Sequence, residues 1–172
     1  MKILPDRSHV TVETAPRGLL AAAAHDLRID APIASGGSPD GTRCTARFAV
    51  AAMRVASSRR HGTDAWRAPS ERDARDIEQR IRDEAFAGRS EIEVEASLAT
   101  DGARASITVR AARSQPVSTT VDVERGADAT TVRGRCELSL DALGVGKIHV
   151  PLGAIKLDDR VIVEFEIALA SG

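Results

Sequence analysis

Two runs near the end of the chain alternate apolar and polar positions with a period of two. In 132–140, Val132, Gly134, Cys136, Leu138 and Leu140 share one face. In 160–169, Val161, Val163, Phe165, Ile167 and Leu169 share one face, and Arg160, Glu164 and Glu166 oppose them. This period belongs to a strand with one dry and one wet face. The connector carries Gly144, Gly146, Pro151 and Gly153 and ends in a turn at Asp158 and Asp159. The two strands are expected to pair antiparallel, and a sheet built on them must close or cover its edges. Closure into a barrel removes the edges altogether.

The same alternation runs through the rest of the chain. His9–Thr14 sets Val10 and Val12 against Thr11 and Glu13, and Pro16, Arg17 and Gly18 read as a turn. In 19–33, the alternation of Leu27, Ile29 and Ala31 with Arg28 and Asp30 outweighs the helical propensity of the alanine run and predicts a strand. Residues 35–41 predict a loop. A strand over 42–55 puts Cys44, Ala46, Phe48, Val50 and Ala52 on one face. Its phase breaks where Met53 and Val55 take over, as a bulge near Ala51 and Ala52 would cause. Residues 57–69, with Trp66, read as polar and irregular.

One helix is predicted over 70–87. Ser70 is its N-cap, Asp73 takes the capping-box position, and Ala74, Ile77, Ile81 and Ala85 form the apolar stripe. Glu71 with Arg75, Asp76 with Arg80, and Glu78 with Arg82 have favourable spacing for ion pairs, and Gly88 suits the C-cap. Ile92, Val94, Ala96 and Leu98 then alternate, Asp101 and Gly102 signal a hairpin, and Ala103, Ala105, Ile107 and Val109 follow. Val117, Thr119, Val121 and Val123 make a further strand before a turn at 126–128. About eight strands and one helix predict an all-β, mainly antiparallel closed barrel, formed as a single domain over 1–172.

Composition sharpens this picture at one point. Hydrophobic residues make up 42% of the chain but aromatics only 2%, with three Phe, one Trp and no Tyr. Alanine and valine carry the apolar faces, and packed interiors tolerate few voids. Either the layers approach closely or the interior holds space for something else. Lys and Arg number 24 against 25 Asp and Glu, a balance that points neither to nucleic acid nor to an anionic membrane surface. No apolar run is long enough to span a bilayer and the start shows no apolar signal segment, so the expected address is the cytoplasm, or the periplasm for a trimmed chain.

Candidate chemistry is sparse. Cys44 and Cys136 fit no metal pattern and read as small buried hydrophobes. His9, His25, His61 and His149 show no ligand spacing, and no nucleophile elbow or phosphate-cradling loop occurs. No catalytic residue, metal or cofactor is therefore expected. His25 and Asp26 point to opposite faces of a strand, so they form no dyad. Either one of them is buried and hydrogen-bonded, or His25 meets a ligand head group at the barrel mouth. Arg59, Arg60 and His61 read as a solvated basic loop.

The arrangement resembles the YceI-like family almost end to end, from about residue 8 to 169. The resemblance is carried by Ala24-His25-Asp26-Leu27 after an early strand, by Ile81-Arg82-Asp83-Glu84-Ala85-Phe86 followed by Ile92-Glu93-Val94, and by the closing segments Ala142-Leu143-Gly144-Val145, Gly153-Ala154-Ile155-Lys156-Leu157 and Asp159-Arg160-Val161. It implies a lipocalin-like antiparallel barrel around an apolar channel that takes isoprenoid or related lipid chains. Many members are exported, and family aromatics are mostly absent from this chain.

The leading expectation is a non-enzymatic binding protein that shelters an apolar chain, with Phe48, Val50, Ile92, Val94, Ile107, Val163 and Phe165 lining the interior and His25 at its mouth. The alternative is a structural or interaction module, the same barrel with a packed interior, acting through a dimer face. Sheet edges and exposed small apolar side chains lead us to expect a homodimer.

Overall fold

The computed structural model describes residues 1–17, 24–111, 116–126, 131–145 and 156–170. Three couples of short strands each follow one bent path. β1 (Lys2–Ile3) and β2 (His9–Thr14) flank a 3-10 turn at Pro5–Arg7. After the short β3 (Pro16–Arg17), β4 (His25–Asp30) and β5 (Ile33–Gly37) flank Pro32, which lacks the N–H that a continuous ladder would use. β6 (Arg43–Ala49) and β7 (Arg54–Arg60) flank a 3-10 turn at Val50–Ala52. With β8 (Glu91–Leu98), β9 (Arg104–Arg110), β10 (Val117–Arg125), β11 (Thr131–Ser139) and, after the two-residue β12 (Lys156–Leu157), β13 (Arg160–Ala170), these paths make eight.

Successive paths pair antiparallel around the ring. β2 and β1 pair with β4 and β5, these with β7 and β6, and β6 continues to β8, β9, β10, β11 and β13. β13 closes the circle by pairing with β11 on one edge and with β2 and β1 on the other. The closing register sets Lys2 opposite Ala170 and Ile3 opposite Leu169. At one seam the ladder is short. β10 and β11 pair only from Val123 to Arg125 against 132–134, and beyond Gly134 no ladder joins them.

Helix α1 (Glu71–Arg80) has the predicted cap: Ser70 Oγ accepts from the Asp73 N–H at 3.2 Å and its hydroxyl donates to Asp73 Oδ2 at 2.7 Å. The helix widens into a π-turn at Ile81–Ala85, and Gly88 follows in the left-handed region at φ 76°. Glu71 pairs with Arg75 as expected, at 3.9 Å. Glu78 turns instead to β7, where it accepts the Val55 N–H at 3.1 Å, and Arg80 pairs with Glu84 at 3.5 Å. A backbone donor on the strand beneath the helix is the better partner for the half-buried Glu78 carboxylate.

Several expectations need correction. Pro16 and Arg17 are not a free turn but form β3, a small ribbon with β12. Ser35, Gly36 and Gly37 belong to β5, and Ser57 to Arg60 to β7, because ladder pairing overrides local turn propensity. The phase break after Ala49 is a 3-10 turn, while the bulge lies further on: Ile29 faces Val55 and Arg28 faces Ser57, leaving Ala56 as the extra residue. Leu140 leaves β11 to open the short helical turn α2 (Leu140–Leu143), which ends at Gly144, φ 70°. The connector glycines at 146 and 153 lie outside the described residues.

Gly36 shows why glycine sits inside a strand. A Cβ there would overlap the Thr45 carbonyl oxygen and come within 2.7 Å of Ile3 Cδ1. Ile3 is 1% exposed and belongs to the core. Gly36→Ala is expected to lower stability by about 1–3 kcal/mol through overpacking against an immovable backbone atom. Urea unfolding measures it; an unchanged midpoint would show that β5 and β6 are not this close.

Candidate functional site

Alternation sends one face of every path inward, and what meets there does not fill the barrel. A cavity of about 600 Å³ remains, inside the roughly 300–1,000 Å³ range of small-molecule sites. Its wall includes Val10 and Val12 of β2, Leu27 and Ile29 of β4, Ile92 and Val94 of β8, Ile107 and Val109 of β9, and Val161, Val163, Phe165 and Ile167 of β13. The helix stripe covers it with Ile77, Ile81 and Ala85. Phe48, Phe86 and Phe165, all three phenylalanines of the chain, line it. Among the described residues, its polar side chains besides the thiols of Cys44 and Cys136 are Thr14, His25 and Arg80.

The structure brings Phe48, Ile92, Val94, Ile107, Val163, Phe165 and His25 together on this wall. Val50 is apart from them: it is 2% exposed within the 3-10 turn and does not border the cavity. Sequence reasoning missed the contributions of β2 and β4 and of the helix, although the same alternation and the same stripe marked them. Cys44 and Cys136 are free, and burial pushes both thiols up from their ordinary pKa.

Phe165 has a dedicated seat. It pairs across the strands with Gly134, and a Cβ at that glycine would overlap the ring. A glycine opposite an aromatic lets the ring lie flat over the neighbouring strand. On the outer side of the seam between β10 and β11 lies a cleft of about 640 Å³, with Asp122, Glu124, Arg135 and Glu137 on its rim. Phe165 and Cys136 border both spaces, so they form the partition between cleft and interior.

His25 and Asp26 do point to opposite faces. His25 faces the cavity and is exposed at its edge, while Asp26 lies on the outer face yet is only 3% exposed. The burial comes from β7 and the residue that follows it. Arg59 Nε donates to Asp26 Oδ2 at 2.8 Å, and His61 Nδ1 hydrogen-bonds Oδ1 at 2.6 Å. Arg59 also reaches Glu13 at 3.2 Å, and Glu13 accepts from Arg28 at 3.3 Å. The guanidiniums of Arg28 and Arg59 stand 4.1 and 4.5 Å from the Trp66 ring centroid, within cation–π range. The basic triplet read as a solvated loop is thus a strand end that holds a buried carboxylate, and its opposite charge explains why Arg59 is drawn in.

Burial alone pushes the Asp26 carboxyl up, but hydrogen bonds from His61 and Arg59 and their charges more than reverse this, leaving it below the usual value. Among the described residues no group of three or more His, Cys, Asp or Glu gathers to hold a metal, and no helix is long and apolar enough to cross a membrane.

An up-and-down antiparallel barrel of eight strand paths, closed by its first and last around an apolar cavity, is a lipocalin-like fold. No family model and no curated protein matches the sequence. Two solved structures are similar in fold. One is a polyisoprenoid-binding domain from Saccharophagus degradans implicated in plant cell wall breakdown, with a TM-score of 0.60 and 12% identity over 96% of this chain and 95% of that one. The other is BcnA from Burkholderia cenocepacia, with a TM-score of 0.56 and 12% identity over 98% and 99%. The fold implied by the resemblance to YceI-like proteins is the fold this chain has.

The Asp26 cluster predicts a signed pH dependence. Its folded pKa lies below the unfolded value, so its stabilisation is fully present above the unfolded value of about 3.8 and is lost as pH falls through the folded pKa. Asp26→Asn should therefore cost about 1–3 kcal/mol at neutral pH, by removing the charge and turning one of the two acceptor oxygens facing Arg59 and His61 into a donor amide, and the cost should shrink in acid. Urea midpoints from pH 7 down to about pH 3 test this; a cost that does not change with pH would assign the effect to packing.

Proposed function

We propose that this chain is a binding protein that holds a long apolar chain, such as an isoprenoid-type lipid, inside its barrel and carries out no catalysis. The observation that carries this reading is the cavity of about 600 Å³ with an almost wholly apolar wall. The likeness in fold to a polyisoprenoid-binding domain supports it. Each methylene moved from water into such a wall contributes about 0.8 kcal/mol, offset by the freedom lost on binding. A packed barrel acting only through its surface would need side chains where this structure has space.

Solvent extraction and mass spectrometry of the purified protein test the reading directly, since a co-purifying lipid is expected. Two substitutions test the wall. Val163→Trp should fold with little loss, because open volume accepts the ring, and should block uptake of a fluorescent lipid. A filled core would instead lose about 1–3 kcal/mol. Phe165→Ala should cost less than the roughly 3–5 kcal/mol of a packed site and should broaden the chains accepted. Full lipid uptake by a stably folded Val163→Trp protein would refute the cavity as the binding site.

A further inference from the structure

Resting on that reading, we propose that the apolar ligand enters and leaves the barrel sideways, through the seam between β10 and β11, and that the Phe165 ring is the gate. Both strands are nine residues long, yet they pair only from Val123 to Arg125 against 132–134. The joints of β6 with β8, β8 with β9, β9 with β10 and β11 with β13 hold six to nine pairs each. The strands at the seam are not frayed. Residues 117–122 stay on the β9 ladder and residues 135–139 on the β13 ladder, so two well-built walls part from each other. Closing a barrel removes strand edges, and an open stretch restores two of them.

The outer cleft of about 640 Å³ lies on this opening. Outward positions such as Asp122, Arg135 and Glu164 line it, but so do Cys136 and Phe165, which belong to the inward faces and also line the cavity. An inward side chain borders an outer cleft only where no ladder stands between the two spaces. The partition is therefore made of side chains, and a side chain turns without breaking a sheet. Phe165 is half-buried and lies over Gly134, where a Cβ would overlap its Cζ and come within 3.0 Å of its Cε1. The bare glycine thus holds a place for the ring at the end of the ladder, and turning the ring away uncovers the seam. The helix is a heavier door. Opening it would break the bond from the Val55 N–H to Glu78 at 3.1 Å and withdraw Ile77, Ile81 and Ala85 from the cavity.

Stopped-flow fluorescence of a neutral naphthylamine dye tests the gate. Gly134→Ala pushes the ring off its place, and Phe165→Ala removes it. In both proteins uptake and release should quicken together, each by about tenfold, as a lowered barrier requires. Cys136→Met lengthens the other half of the partition and should slow both steps. If Gly134→Ala does not fold, the other two variants carry the test. With Cys44→Ser as background, Cys136 is the one thiol of the chain. Its reaction with an aromatic disulfide should quicken in Gly134→Ala and Phe165→Ala in step with dye uptake. Faster release without faster uptake in these two proteins would mean a loosened site and would overturn the gate. Dye exchange that none of the three substitutions alters would also overturn it, leaving the exposed edge at His25 as the route and the carrier reading intact. Failure of the unaltered protein to take up dye would remove the carrier reading itself, and the gate with it.

Discussion

Strand number fixes the width of a barrel, and side-chain size decides whether that width is filled. Eight strand paths enclose more volume than the alanines, valines and isoleucines on their inner faces occupy. Packed interiors tolerate few voids, so a persistent one of this size needs a reason. Here the scarcity of aromatics is the physical origin of the space. The chain has only three phenylalanines, and all three already face the cavity. Gly134 gives one of them room to lie flat against the wall and not across the interior.

Polar groups are distributed to protect this arrangement. The outer faces of β11 and β13 carry opposite charges across the ladder: Arg133 with Glu166 at 2.8 and 3.1 Å, Arg135 with Glu164 at 3.2 Å. Exposed pairs of this kind add little stability each. Their value lies in register, since a slip of one residue would set charges against the apolar face and turn Phe165 outward. The cluster around Asp26 does the corresponding work on β2, β4 and β7, where Glu13, Arg28 and Arg59 tie three strands together beside Trp66.

Much of this was legible in the sequence because strand alternation is a local signal. The barrel, the cap at Ser70, the pairing of β11 with β13 and most of the wall follow from period-two and helical spacing alone. What escaped depended on contacts between distant residues. Nothing local to Gly36 shows that it lies against Thr45 and Ile3, so it reads as a loop. Arg59 and His61 look solvated until β7 is laid beside β4 and Asp26 appears opposite. Val50 shares the phase of Phe48 yet turns away, because the chain leaves the strand there to pass from β6 to β7.

The closing pairs of the ring, Lys2 with Ala170 and Ile3 with Leu169, join the two extremes of the described chain. The entropy of closing a loop grows with its length, and contacts of such wide sequence separation slow folding. The hairpins from β8 to β11 link near neighbours and can form early, whereas the ring stays an open, curved sheet with two unpaired edges until β13 docks against β2 and β1. During that interval the apolar inner face and both edges are exposed together, the condition under which sheets associate with one another. The pairing that closes the ring is thus also the one that creates an inside, and any state in which that seam is open leaves the chain vulnerable to aggregation.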